Sequence, residues 1–136
     1  ARRIGGMNHF LLPHGDTEGG VSMRYGTFAM ELLINSLLKQ GAQKHRLEAK
    51  VFGGARMNNN LRDIGSSNAL FAKEFLAAEN IPILGESLAG RSARRIRFWP
   101  TDGRVRQLLV ENPVEVPVER PAVPSRRDRG DSITLF

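Results

Sequence analysis

Met30, Leu33, Ile34, Leu37 and Leu38 recur three and four residues apart, the spacing that collects side chains on one face of an α-helix. They predict a helix over about residues 25–40, closed by Gly41 as a C-terminal glycine cap with Lys39 in the last turn. This stripe constrains the fold more than any other feature, because such a face is stable only when a second layer covers it.

The rest of the chain offers that layer. Arg46 to Phe52 alternates through Leu47, Ala49 and Val51 and runs into Gly53-Gly54-Ala55, the pattern of a short strand ending in a turn. Ile83 to Leu88, Ala93 to Trp99 and Arg104 to Val110 supply further strands. The last two flank Pro100-Thr101-Asp102-Gly103, whose Asp-Gly pair marks a hairpin turn. Along the first hairpin strand Arg94, Ile96 and Phe98 point one way and Arg95, Arg97 and Trp99 the other. A second helix is expected over about residues 68–79, with Phe71, Phe75 and Ala78 buried and Ser66 or Ser67 as N-cap.

Ahead of these, Ile4, Met7, Phe10, Leu11 and Leu12 predict a buried strand from Arg3 to Leu12, ended by Pro13. His14 to Ser22 and Met57 to Arg62 read as loops. The element order predicts an α/β (α+β) fold, a layered sandwich with helices packed on a mixed β-sheet. A length of 136 residues suffices for one domain with a modest core. The domain is expected over residues 1–110. Residues 111–136, with Pro113, Pro117, Pro121 and Pro124 ahead of alternating charges, read as an extended or disordered tail. Its final Ile133, Leu135 and Phe136 are apolar enough to dock on a partner.

Composition removes several chemistries. The chain holds no cysteine, so disulfides, thiolate metal sites and a thiol nucleophile within these residues are excluded. No apolar run is long enough to insert in a membrane. The basic start, Ala1-Arg2-Arg3, lacks the apolar stretch of a signal peptide, so a cytoplasmic location is expected. The net charge is +6, and its placement is local. Six arginines and one acid, Asp102, lie between Arg91 and Arg106. Basic residues interleaved with Phe98 and Trp99 suit single-stranded nucleic acid, but a solvated face, or one that meets an acidic protein, accounts for the pattern better.

Among residues that could carry chemistry, His9 stands out within Gly6-Met7-Asn8-His9-Phe10-Leu11-Leu12-Pro13. An imidazole at the end of an apolar segment serves as general acid or base near neutral pH. A half-buried histidine bonded to a backbone carbonyl is the commoner use of a lone residue of this kind. A metal site from His9, His14 and Asp16 is chemically reasonable, but the spacing matches no ligand pattern. Gly53-Gly54-Ala55 either cradles an oxyanion with backbone N–H groups or makes a tight turn, and spacing alone favours the turn. Nucleotide fingerprints and the serine-hydrolase elbow are both missing from the sequence.

Four blocks, in order, resemble the chemoreceptor glutamine deamidase family (CheD). They are Gly6 to Pro13, Arg24-Tyr25-Gly26 with the following helix to Ala42, Arg46 to Met57, and Asp63-Ile64-Gly65-Ser66-Ser67-Asn68. Weaker matches follow at Gly90-Arg91 and Thr101-Asp102-Gly103, so the resemblance covers about Ile4 to Val110. It implies a layered α/β domain that converts receptor glutamine side chains to glutamate and ammonia with a cysteine–histidine pair, a threonine orienting the histidine. It also implies that no metal or organic cofactor is needed. His9 matches the family's catalytic histidine. The cysteine and threonine do not carry over, because in the family both lie upstream of this histidine. The expectation is therefore of an N-terminally truncated chain that lacks its first strand and its nucleophile, a reading consistent with Ala1 in place of an initiating methionine. The resemblance further implies chemoreceptor cytoplasmic domains as substrate and a CheC-like phosphatase as partner, with no nucleic acid. Taken at face value, a cysteine-free chain is instead a non-catalytic interaction module of the chemotaxis pathway that binds such a phosphatase or receptors.

Overall fold

The computed structural model describes residues 3–12, 20–56, 64–110 and 133–136. The apolar stripe of the sequence forms helix α1, Val21–Lys39, which starts four residues before the expected Tyr25. Its end is a Schellman cap. Gly41, at φ +100°, donates its N–H to Leu38 O at 3.0 Å, and Ala42 donates to Leu37 O at 3.0 Å. A left-handed residue is required there, and glycine takes that conformation without a Cβ penalty.

One 3-10 turn, Lys44–Arg46, shortens the following strand to β1, Ala49–Gly53. Helix α2, Ile64–Ala78, begins before Ser66 and Ser67, so these serines lie inside its first turn rather than capping it. The start is shifted because Gly65 has no side chain. A Cβ on Gly65 would meet Ala55 O and, at 2.7 Å, Gly54 O, so the helix begins directly against the end of β1. The α2 residues that the core buries are Phe71, Ala72 and Leu76, while Ala78 closes the helix exposed. Asn80, at φ 56°, ends α2 as Gly41 ends α1, with Ile81 N–H bonded to Leu76 O at 2.9 Å.

Strand β2, Ile83–Leu88, pairs parallel with β1, so β1, α2 and β2 make a crossover unit. Strands β3, Ala93–Trp99, and β4, Arg104–Val110, form the expected antiparallel hairpin, with Phe98 opposite Val105 and Arg97 opposite Arg106. Parallel and antiparallel pairings are both present, as expected, in a two-stranded and a three-stranded sheet. The third strand of the latter is β5, Ile133–Leu135, antiparallel to β4. The apolar C-terminus thus docks on its own chain. Phe136 exchanges two backbone bonds with Val105 (2.7 and 2.9 Å), and its ring meets Phe52 edge-on at 5.1 Å. Residues 111–132, which carry most of the expected tail, lie outside the described residues.

The largest departure from expectation is Arg3 to Leu12. Among the described residues it pairs with no strand. It lies across the helices, and its contacts are with side chains, loop backbone and the helical carbonyl of Ala29. A Cβ on Gly5 would stand 2.6 Å from Pro100 O, and one on Gly6 would stand 2.7 Å from a Leu33 methyl. Leu12 is buried with Met30, Phe71, Leu76 and Ile81 in the main core. The apolar content of the segment therefore marks contact with the core through Phe10 and Leu12, but not a ladder, and Met7 and Leu11 stay exposed.

Gly26 lets α1 close on this core. A Cβ there would sit 2.8 Å from both Leu12 and the Phe71 ring. The variant Gly26→Ala should lower unfolding stability by about 1–3 kcal/mol through overpacking, measured by urea denaturation. A neutral or stabilising result would contradict the packing described.

Candidate functional site

His9 is exposed, and its placement is set by its neighbours. Along the extended segment side chains alternate. Asn8, Phe10 and Leu12 turn inward, while Met7, His9 and Leu11 face outward. Asn8 donates from Nδ2 to Ala29 O at 3.2 Å and lies 3.5 Å from Met30 Sδ, which pins the segment to α1. Phe10 stacks edge-on against Phe71 of α2 at 5.6 Å between ring centres. Leu12 donates its backbone N–H to Asn68 Oδ1 at 2.9 Å. His9 is thus held between one anchor on α1 and two on α2, with its ring free of the core.

The sequence singled out His9, but not what holds it. Asn8 and Asn68 were legible only as members of two of the blocks. The structure shows their separate tasks, one on each helix. Met7 and Leu11 flank His9 as exposed apolar side chains, 62% and 59% accessible. Helix α1 also leaves Val21, Tyr25, Phe28 and Leu32 exposed, a second apolar stripe that the inward face does not need. Surface of this kind is typical of protein contact sites.

Gly53 and Gly54 behave as the turn reading requires. Both have positive φ, 130° and 68°. Gly53 O accepts the Ala89 N–H at 3.0 Å, and a Cβ on Gly54 would meet Gly65 O and the Ala69 methyl, each at 2.9 Å. Among the described residues these contacts join β1, α2 and the β2–β3 turn, and none of them involves His9. His14 and Asp16, the other members of the metal grouping, lie outside the described residues.

The same turn holds Arg94, the one arginine among the described residues that faces inward. Arg94 donates from Nη2 to Ala89 O at 2.7 Å and from Nε to Ser87 Oγ at 3.4 Å. Burial lowers its guanidinium pKa from the ordinary value. Arg94 therefore ties β3 to the end of β2 and is separate from the outward arginines of the hairpin.

Removing the Asn68 acceptor strands the buried Leu12 N–H. The variant Asn68→Ala should cost about 1–3 kcal/mol and speed hydrogen exchange at the Leu12 amide. Asn68→Asp, which keeps an acceptor oxygen, should lose less. Equal losses, or no change in exchange at Leu12, would show that this bond does not hold the segment.

The sequence matches the family model described as CheD chemotactic sensory transduction over residues 11–108. A protein of Caulobacter sp. (strain K31), named as a probable chemoreceptor glutamine deamidase CheD, is 56% identical over 138 aligned positions, covering 98% of this chain and 73% of that protein. One of Caulobacter vibrioides (strain NA1000 / CB15N) with the same name is 60% identical, covering 79% of this chain and 58% of that protein. A third, from Cereibacter sphaeroides (strain ATCC 17029 / ATH 2.4.9), is 51% identical, covering 98% of this chain and 66% of that protein. The chain thus spans between 58% and 73% of the length of these relatives. The family match begins at Leu11, two residues after His9, whereas an alignment covering 98% of the chain takes in His9 as well. By the extent of the family match and the identity to these relatives, the chain belongs to the CheD family.

Proposed function

We propose that this protein is the histidine-bearing part of a chemoreceptor glutamine deamidase. The observation that carries the reading is the His9 segment: an exposed imidazole held at both sides by bonds to two helices. Membership of the family and the names of the relatives support the reaction class and the substrate, the cytoplasmic domain of a chemoreceptor. On this reading the protein acts in the cytoplasm, where those domains lie. Among the described residues no helix is long and apolar enough to cross a membrane.

In this scheme His9 takes the proton of a cysteine thiol, and the thiolate attacks the side-chain amide carbon of a receptor glutamine. Backbone N–H groups hold the oxyanion. The imidazolium returns its proton to the departing nitrogen, which leaves as ammonia. Water, deprotonated by His9, then hydrolyses the thioester to glutamate and free thiol. No metal or organic cofactor enters any step. This sequence has no cysteine, so the thiol must come from residues outside it, and the 136-residue chain alone cannot run the reaction. A threonine that orients His9 would likewise lie outside these residues. A side chain that must meet an incoming thiol and a protein-borne glutamine has to be exposed, as His9 is.

The second reading is a binding module of the chemotaxis pathway that engages receptors or a CheC-like phosphatase. The exposed apolar stripe of α1 favours it, and the absence of cysteine from the sequence is compatible with it. The two readings separate in one assay. Ammonia release from a purified receptor fragment is measured with this chain and with a form carrying any coding sequence upstream of Ala1. The deamidase reading predicts release only by the extended form. His9→Ala in that form should lower release by at least about 10²-fold while leaving the unfolding midpoint unchanged. Release that survives His9→Ala refutes the proposed role of His9, and no release by either form leaves the binding module.

A further inference from the structure

The outer face of the β3–β4–β5 sheet has no part in holding His9, and its composition is distinctive. Arg97 stands directly opposite Arg106, and Arg104 opposite Trp99. Arg95, Arg97, Arg104 and Arg106 are all exposed. Like charges directly across an antiparallel pair oppose pairing, and β3, β4 and β5 carry no acidic residue of their own. Among the described residues one ion pair serves these four arginines, Arg104 with Asp102 at 3.7 Å, at the hairpin turn.

Aliphatic side chains continue the same face. Arg95 is opposite Leu108, Leu108 is opposite Ile133, and Arg106 is opposite Leu135. Ile133 and Leu135 are 54% and 64% exposed. A charged half therefore adjoins an apolar half on one sheet surface.

We propose that this face docks an acidic amphipathic segment of another protein, its carboxylates over the arginines and its aliphatic side chains over Ile133 and Leu135. Charge complementarity selects the sign of the partner. The aliphatic half selects a protein over a nucleic acid. Single-stranded nucleic acid is held by successive aromatic rings, whereas this face has one aromatic, Trp99, and its ring is already covered by the Arg104 guanidinium at 4.6 Å. Arginines on a sheet surface grip carboxylates in paired hydrogen bonds, which adds orientation to attraction. The proposal does not rest on the deamidase reading, so either can fail without the other.

Trp99 is the one tryptophan in the sequence, and its emission reports on the face directly. The 136-residue chain is titrated with a synthetic amphipathic helix bearing glutamates on one flank and leucines on the other. Parallel titrations use the same peptide with glutamines for the glutamates, and a single-stranded oligonucleotide. The expected result is a saturable change in Trp99 emission with the glutamate peptide. The glutamine peptide should bind at least about tenfold more weakly. Raising the ionic strength to about 1 M, where screening acts within about 3 Å, should weaken the glutamate complex by a similar factor. The double charge reversal Arg97→Glu with Arg106→Glu should abolish binding at unchanged far-UV circular dichroism. Should that variant misfold, Arg97→Gln with Arg106→Gln, predicted to lose at least about tenfold in affinity, decides the matter. Equal binding of the two peptides, tighter binding of the oligonucleotide, no emission change, or full affinity in the glutamine variant would overturn the proposal.

Discussion

The bond from the Leu12 N–H to Asn68 Oδ1 closes the structure around its candidate site. Leu12 belongs to a segment without ladder partners among the described residues, so its buried amide has to be satisfied by a side chain. Asn68 meets that need from the second turn of α2, and α2 is positioned in turn by Gly65 lying against the backbone of Gly54 and Ala55. A side chain at Gly65 would push α2 from β1, move Asn68 from Leu12, and loosen the segment that carries His9. The four sequence blocks are therefore spatially one construction. The His9 segment rests on α1 through Asn8 and on α2 through Phe10 and Leu12, and the end of β1 seats α2.

This arrangement fits a site that works on another protein. His9 stands on the surface between Met7 and Leu11, while its neighbours in sequence are fixed to the helices. Rigid backbone beneath an exposed side chain keeps the imidazole in position without enclosing it. An enclosed pocket suits a small ligand, whereas a glutamine that arrives on a receptor needs open access.

Much of the fold was legible because it rests on local patterns. The stripe from Met30 to Leu38 with Gly41 behind it, and the alternation on either side of Asp102-Gly103, record helical and strand periods directly. Ser66 and Ser67 misled for a physical reason: small polar residues suit the first turn as well as the cap, and the true start was set by the tertiary contact of Gly65. Arg3 to Leu12 misled in another way. Apolar content shows that a segment meets the core, but the same composition serves a strand in a sheet and a segment lying across helices. The pairing of Ile133–Leu135 with β4 joins residues far apart in sequence, and no local signal encodes that register. His9 was visible as a residue type in context, whereas Asn8 and Asn68 had meaning only once their partners in space were known.

The most direct test of the account is the mass of a chemoreceptor cytoplasmic fragment after incubation, resolved to individual peptides. The fragment is treated with this chain and with a form that includes any coding sequence upstream of Ala1. Particular glutamines should be converted to glutamates by the extended form, and the peptides should stay unchanged with the cysteine-free chain. Conversion by the cysteine-free chain would contradict the thiol mechanism, and a fragment left unchanged by both forms would contradict the deamidase assignment itself.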